Sequence, residues 1–175
     1  MSYQRKYRLV PVDLCKYALV ARNTRTVQIY LLLNLHSSGK IKLNNDMIKY
    51  LANALEMNTK TFKKHLNLLL SKNWIGFNPR TGYYHIRGLN YIHKNVGVKS
   101  RAASEFMINE IGQFKEFCIA TFIGYLINQQ KSDRFRSERQ VARSNQNRRD
   151  QMLNYNYVTL KTLARFLQIS KTSSN

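Results

Sequence analysis

The stretch that decides the fold is MIKYLANALEMNTKTFKKHL, residues 47–66. Its first half repeats apolar residues at helical spacing, and the amide and carboxylate oxygens at 44–46 are suited to cap a helix there. Asn58 and Thr59 interrupt the pattern and offer oxygens that can cap a second helix. The stretch therefore predicts two helices joined by a tight turn. The expected buried positions are Ile48, Leu51, Ala52 and Leu55 in the first helix and Phe62, Leu66 and Leu69 in the second.

The sequence on either side completes a recognisable order of elements. Upstream, residues 24–37 carry a broad apolar stripe that predicts a helix, and residues 40–43 alternate polar and apolar as a short strand does. Downstream, residues 74–78 and 83–87 have the composition of strands, and the Pro-Arg-Thr-Gly sequence at 79–82 is typical of a turn. The predicted order is helix, short strand, helix, tight turn, helix and β-hairpin.

This order over residues 24–88 resembles the winged helix-turn-helix superfamily of DNA-binding proteins, and residues 47–66 carry the resemblance. Asn58 departs mildly from the family pattern, which usually has a small residue in the turn. The resemblance implies a mostly α fold with a small β-hairpin, followed by a helical C-terminal region. It also implies that the second helix of the motif enters the DNA major groove with its N-terminal residues facing the bases.

The charge balance points to a polyanionic partner. The chain of 175 residues has 29 lysines and arginines against 9 aspartates and glutamates, a formal net charge of +20. Self-repulsion of this size opposes a compact fold, so binding to nucleic acid is the natural explanation. Between Glu56 and Glu105 there is no acidic residue, although lysines and arginines occur throughout. A second basic block covers residues 131–149, with few carboxylates.

The candidate DNA-binding residues follow from these two features. On a helix that begins at Thr59 with its apolar stripe turned inward, the outer face carries Thr59, Lys60, Thr61, Lys63, Lys64 and Asn67. A lysine can donate to guanine or neutralise phosphate, and an asparagine can pair bidentately with adenine. Threonine hydroxyls and helix N-terminal amides suit phosphate oxygens. The basic residues expected to add contacts are Arg80 and Arg87 in the hairpin and Arg134, Arg136, Arg148 and Arg149 in the second basic block.

The domain organisation is predicted from the same patterns. We expect an N-terminal extension over 1–23, a winged-helix DNA-binding domain over 24–92, a linker over 93–104 and a helical domain over 105–175. In the extension, residues 7–12 suit an edge strand, and Asp13 could cap a short helix that ends at Ala21. The helical domain is expected to begin with a helix over 105–129.

The second half of the chain contains a sequence similar to the first motif. Residues 48–58 and 160–170 align without gaps, with the same lysine, leucine, alanine and leucine at matching positions. A helix-turn-helix-like motif is therefore expected over 158–175, as an incomplete second copy, with chance similarity of two amphipathic helices as the alternative. The basic connection over 131–149 would be either a flexible arm that neutralises phosphates or a long solvated helix.

Few residues are suited to catalysis or to metal binding. Carboxylates are too scarce for a site that needs two or three of them together, and the glycines are isolated rather than grouped in a phosphate-binding loop. The four histidines lack metal-binding spacing, and His65 is expected at a surface or boundary position. We therefore expect no enzyme, no cofactor and no metal.

The cysteines and the longest apolar run bear on location. Cys15 and Cys118 are too few for a disulfide scaffold and suit a reducing compartment. The apolar run over 117–127 is too short to span a bilayer, so no membrane partner is expected. The prediction is a cytoplasmic protein that is associated with the nucleoid when bound to DNA. The same apolar run suits a homodimer, and burial within one chain explains it equally.

The function predicted from the sequence is sequence-specific binding of double-stranded DNA by a prokaryotic, phage or mobile-element transcriptional regulator. Two alternatives keep the winged-helix fold. One is a plasmid- or phage-type replication initiator with tandem winged helices, and the other is an RNA- or protein-binding winged-helix module.

Overall fold

The computed structural model describes residues 7–144 and is mostly helical, with two small antiparallel sheets. In chain order the elements are β1 (Tyr7–Pro11), α1 (Val12–Val20), α2 (Thr24–His36), β2 (Lys40–Lys42), α3 (Asn45–Ala54), α4 (Thr59–Ser71), β3 (Ile75–Asn78), β4 (Tyr83–Ile86), α5 (Leu89–Val96), β5 (Ala103–Met107), a 3-10 helix (Ile108–Gln113) and α6 (Phe114–Ser144).

The central helix of the fold is α2. A run of residues from Thr26 to Leu33 is buried on every side, as expected for a helix that other elements surround. Tyr30 donates a hydrogen bond from its hydroxyl to the carbonyl of Arg87, 2.7 Å away, which ties α2 to the end of the hairpin. Trp74 lies against Tyr30 with its ring centroid 5.6 Å away, so the hairpin closes over α2. The helix predicted over 24–37 is confirmed.

The two helices of the 47–66 stretch are confirmed, together with their caps. The Asn44 side chain accepts a hydrogen bond from the Met47 amide at 2.8 Å, and the Asn58 side chain accepts one from the Thr61 amide at 2.7 Å. Glu56, and not Asn58, has the left-handed backbone of the turn, with φ 50°. Asn58 is therefore the N-cap of α4, which explains why a small residue is not required there.

The three-stranded sheet has the order β2-β4-β3, and both pairs are antiparallel. Its inner face carries Ile41, Ile75 and Ile86, all buried. The turn between β3 and β4 is held by Asn78, whose side-chain oxygen accepts from the Arg80 and Thr81 amides. The predicted short strand and hairpin are thus confirmed, with ends that shift by about a residue.

The prediction of a continuous helix over 105–129 is wrong at its start. Residues up to Met107 form β5, which pairs with β1, and a 3-10 turn separates β5 from α6. Phe106 is buried against Phe114 and Phe117, with ring centroids 5.2 and 4.7 Å away. A strand forms here instead of a helix because β1 pairs with it through backbone hydrogen bonds. The helical periodicity of the sequence does not reveal such a distant partner.

The N-terminal segment contributes to the same core. Leu14, Cys15 and Ala18 of α1 are fully buried, and α1 packs along α6. Asp13 lies in the first turn of α1, but the N-cap position belongs to Pro11, so the expected cap is wrong. The Asp13 carboxylate instead accepts hydrogen bonds from the Lys99 and Ser100 amides, each at 2.8 Å, and thereby fixes the segment before β5.

The segment expected as a linker, 93–104, has regular structure at both ends. It begins with the last turn of α5, which stops at Gly97 with a left-handed φ of 72°, and it ends in β5. Between them, the Val12 amide donates to the Ala102 carbonyl at 3.0 Å. This backbone hydrogen bond ties the segment to α1.

The last helix, α6, has a buried half followed by an exposed part. Phe114, Cys118, Phe122 and Leu126 recur every four residues and are buried, whereas Phe135 is 65% exposed. Of the basic connection expected over 131–149, residues 131–144 belong to this helix, as in the alternative of a long helix, and residues 131–136 are exposed or half-buried. Residues 145–149 and the second motif expected over 158–175 lie outside the described residues. Within residues 7–144, no helix has the length and apolarity that crossing a membrane requires.

Candidate functional site

The exposed face of α4 is the candidate site. Phe62, Leu66 and Leu69 are buried, and they orient the helix so that its opposite side is open to solvent. At 100° per residue, four polar side chains of that side fall within about 100° of the helix circumference. All four are exposed: Lys60, Lys63, Lys64 and Asn67. Thr59 is exposed at the first helical position, and Thr61 is half-buried. The structure thus brings the lysines and the asparagine together and turns Thr61 partly away from them.

The start of α4 lies beside the start of α3. The Lys63 ammonium donates to the Asn45 side-chain oxygen at 3.4 Å, so the two helix N-termini share one surface. Asp46 and Glu56 add exposed carboxylates to the same helix pair, whereas Lys49 adds an exposed cation. With Lys49, four exposed lysines stand against two carboxylates on this helix pair, so the count of charges there remains positive.

The outer face of the three-stranded sheet adds basic residues that the sequence analysis missed. Lys40 and Lys42 of β2 are both exposed and lie opposite His85 and Tyr83 of β4. Lys42 reaches toward the hairpin turn, since a Cβ atom placed on Gly82 would lie 3.9 Å from its Cε atom. The alternation at 40–43 was visible in the sequence, but only the strand register shows that both lysines line the hairpin.

The two arginines of the hairpin lie at its opposite ends. Arg80 is exposed in the turn, whereas Arg87 follows β4 at the base, so about 13 Å of strand separates them. The Arg87 guanidinium lies over the Tyr91 ring, 5.4 Å from its centroid, which anchors it on α5. Only Arg80 is therefore free to reach a ligand from the tip of the hairpin, and Arg87 is held at the base.

The remaining predicted contacts belong to another element. Arg134 is half-buried and Arg136 is exposed, and both lie on α6. Arg148 and Arg149 lie outside the described residues. The structure therefore groups the candidate residues of α4 on one helix face, with Arg80 on the hairpin turn and the arginines of α6 on a different helix.

His65 lies on the inner flank of α4, at the boundary position that the sequence predicted. Its Nδ1 atom is 2.9 Å from the Thr26 hydroxyl of α2. Partial burial, followed by the charges of Lys64 and Arg25, lowers the pKa of the imidazole. His65 is therefore a neutral link between α4 and α2 at pH 7, rather than part of the exposed face.

The metal-binding and thiol side chains of the described residues are the candidates for a second site. In residues 7–144, no three or more histidine, cysteine or acidic side chains are close enough to hold a metal ion. Cys15 and Cys118 are buried thiols. A hydrogen bond with Cys15, together with burial, raises the pKa of Cys118, which keeps that thiol protonated and unreactive.

Comparison of the chain with known proteins finds no matching family model, no matching curated protein and no matching solved structure. The α4 face and the hairpin are therefore interpreted through their own geometry and charge.

Proposed function

We propose that this protein is a winged helix-turn-helix protein that binds double-stranded DNA. The observation that carries the proposal is the cluster of three lysines and an asparagine on the exposed face of α4. The order of α2, β2, α3, α4 and the hairpin, with the sheet order β2-β4-β3, supports the winged-helix assignment. Within this class, the proposed role is that of a sequence-specific prokaryotic, phage or mobile-element transcriptional regulator.

In the proposed complex, α4 lies in the major groove. Lys60 and Lys64 are one turn apart and donate to phosphates or to guanine acceptors, and Asn67 pairs with the edge of an adenine. The first intrahelical hydrogen bond runs from the Phe62 amide to the Asn58 carbonyl. The Thr59 and Lys60 amides precede it and point out of the helix end, where they suit a phosphate oxygen.

The hairpin would contact the DNA backbone beside the groove. Arg80 at its tip can enter a narrow minor groove, where the negative potential favours an arginine. Lys40 and Lys42 lie on the outer face of the three-stranded sheet and can neutralise neighbouring phosphates. These contacts, like phosphate contacts of the α4 lysines, carry affinity and register, whereas Asn67 of α4 carries sequence preference.

The replication-initiator alternative rests on a separate observation. α6 is a helix of 31 residues, about 46 Å long, and the chain continues from it into the sequence that resembles a second helix-turn-helix motif. An initiator of this kind would bind repeated sites in the same orientation. A regulator would bind a single site or an inverted repeat.

The experiment that tests the proposal is a selection of binding sites from random DNA duplexes at physiological salt, using the full chain. We expect enrichment of a defined motif, and the arrangement of its copies separates the regulator from the initiator. Recovery of random duplexes without enrichment, or preferential binding to a structured RNA competitor, would contradict sequence-specific DNA binding.

A further inference from the structure

A cavity of about 470 Å³ lies where the start of α2, the middle of α4 and the start of α6 meet. This volume is in the range typical of small-molecule sites, roughly 300–1000 Å³. Of the candidate DNA-binding residues that the structure describes, none lines the cavity. His65 represents α4 there, on the side of the helix turned away from Lys60 and Asn67. The cavity is thus separate from the candidate DNA-binding face.

Cations dominate the wall of this cavity. Arg22, Arg25 and Lys115 line it from the α1–α2 connection, α2 and α6, and Glu116 is the carboxylate among the described lining residues. An excess of positive over negative charge around a partly enclosed space focuses the field and attracts an anionic ligand.

The orientation of Arg25 is set by a buried neighbour. Gln28 is almost completely buried, and its amide nitrogen donates to the Ile111 carbonyl. The Gln28 side-chain oxygen, Oε1, then accepts a hydrogen bond from the Arg25 guanidinium, with 3.0 Å between Oε1 and Nη1. Because the amide is used at both ends, the guanidinium is held in place while its other donors stay available. A guanidinium fixed in this way is suited to bidentate binding of a carboxylate or phosphate group.

The cavity also has an apolar part. Leu19 of α1 and Ile119 of α6 line it, and Ile119 is 37% exposed although it is a large aliphatic side chain. A ligand with an apolar body beside its anionic group would cover this surface. An inorganic anion would leave it exposed to water.

We propose that this cavity binds a small organic anion. A phosphate monoester or carboxylate group contacts Arg25, Arg22 and Lys115, and the apolar body of the ligand packs against Leu19 and Ile119. The site uses none of the exposed face of α4, so it stands or falls independently of DNA binding.

Phenyl phosphate and benzoate serve as probes, because each joins an anionic group to an apolar ring. They are titrated separately into the full chain without DNA, by calorimetry and by NMR of the histidine ring protons. Benzyl alcohol is the uncharged comparison. We expect saturable binding of at least one anion with a shift of the His65 ring signals, and no saturable binding of the alcohol. Binding of one anion but not the other identifies the ligand as a phosphate ester or a carboxylate.

Variants inside and outside the cavity locate the binding. Arg25→Met is expected to weaken binding of the anion at least tenfold, and Lys115→Met serves the same purpose if Arg25→Met does not fold. Lys94→Met removes the same charge from α5, outside the residues that line the cavity, and is expected to leave the affinity unchanged. Absence of saturable binding by both anions, or an equal loss in the cavity variant and in Lys94→Met, would overturn the proposal, because the anion would then respond only to net charge.

Discussion

At the residue scale, the exposed side chains of α4 are suited to different kinds of contact with DNA. Lys60 and Lys64 carry point charges on long flexible stems, which suit phosphates. Asn67 carries a planar amide with a donor and an acceptor side by side, which suits an adenine edge. The three are exposed and separated by about one helical turn each, so their effects on DNA binding can be measured separately.

We predict that Lys60→Ala and Lys64→Ala each make the negative slope of log K against log salt less steep by about one unit, as expected for the loss of one phosphate contact. Asn67→Ala should leave that slope almost unchanged and relax the preference for one base. The measurements are salt titrations of affinity and a repeated site selection. A slope change with Asn67→Ala and none with either lysine would reverse these roles.

His65 gives a second prediction, on pH. Its pKa is lowered in the folded protein by burial, Lys64 and Arg25, and burial also lowers the pKa of His93. Between the folded value and the usual 6.5, the unfolded chain therefore binds more protons, and the free energy of unfolding rises with pH across that window.

We expect His65→Gln to flatten this rise, and His65→Gln combined with His93→Gln to flatten it further. Urea unfolding at a series of pH values from 5 to 7.5 measures the effect. An unchanged pH dependence in the double variant would show that these imidazoles do not titrate differently in the folded state.

At the element scale, features set by neighbouring residues could be predicted from the sequence, whereas pairing between distant strands could not. The first residues of α3 and α4 could be predicted, because the N-cap residues Asn44 and Asn58 accept hydrogen bonds from amides only three residues further on. β5 could not be predicted in this way, because its partner β1 lies at the start of the described chain, far from β5 in sequence. Helical periodicity in the residues from 105 onward therefore prevailed in the prediction, although a strand forms there.

The candidate site follows the same division. The α4 face was predictable because one helix and its apolar stripe define it. The position of Lys40 and Lys42 depends on the register of β2 against β4, and the cavity proposed to bind an anion depends on the meeting of α1, α2, α4 and α6. Neither is encoded in local spacing.

The cap of α4 gives the prediction at this scale. Asn58→Ala removes the acceptor of the Thr61 amide and should cost about 1 kcal/mol in the free energy of unfolding. Asn58→Asp keeps an oxygen in the same place and should remain close to the wild type. Thermal unfolding measures both variants, with an expected loss of roughly 2–4 °C for the alanine variant. Equal losses in both variants would show that the cap does not act through this hydrogen bond.

At the scale of the whole molecule, one hydrophobic core joins segments that the sequence assigned to separate units. Buried side chains from α1, α2, α4, the hairpin and α6 belong to one connected cluster that contains both Trp74 and Phe114. The segment before residue 24 and the start of α6 therefore stabilise the same body that presents α4.

We predict that this body unfolds as one unit. Phe114→Ala removes a fully buried ring and should cost roughly 3–5 kcal/mol. Because Trp74 is the one tryptophan in the chain, its fluorescence reports on the hairpin and α2. Its unfolding transition should shift together with the helical circular dichroism. Phe135→Ala, on the exposed part of α6, is the control and should change little. A Trp74 transition that does not respond to Phe114→Ala would mean that α6 and the hairpin unfold separately.

The central proposal is that the exposed face of α4 binds DNA. The most direct measurement compares the affinity for the selected duplex of two triple variants that lose the same charge, Lys60/Lys63/Lys64→Ala on α4 and Lys94/Lys99/Arg101→Ala on the exposed segment around the end of α5. We expect the α4 variant to lose binding and to lower the salt slope by roughly three units, as for three lost phosphate contacts, and the control variant to retain most of the wild-type affinity. Equal losses in the two variants, or full affinity in the α4 variant, would contradict it.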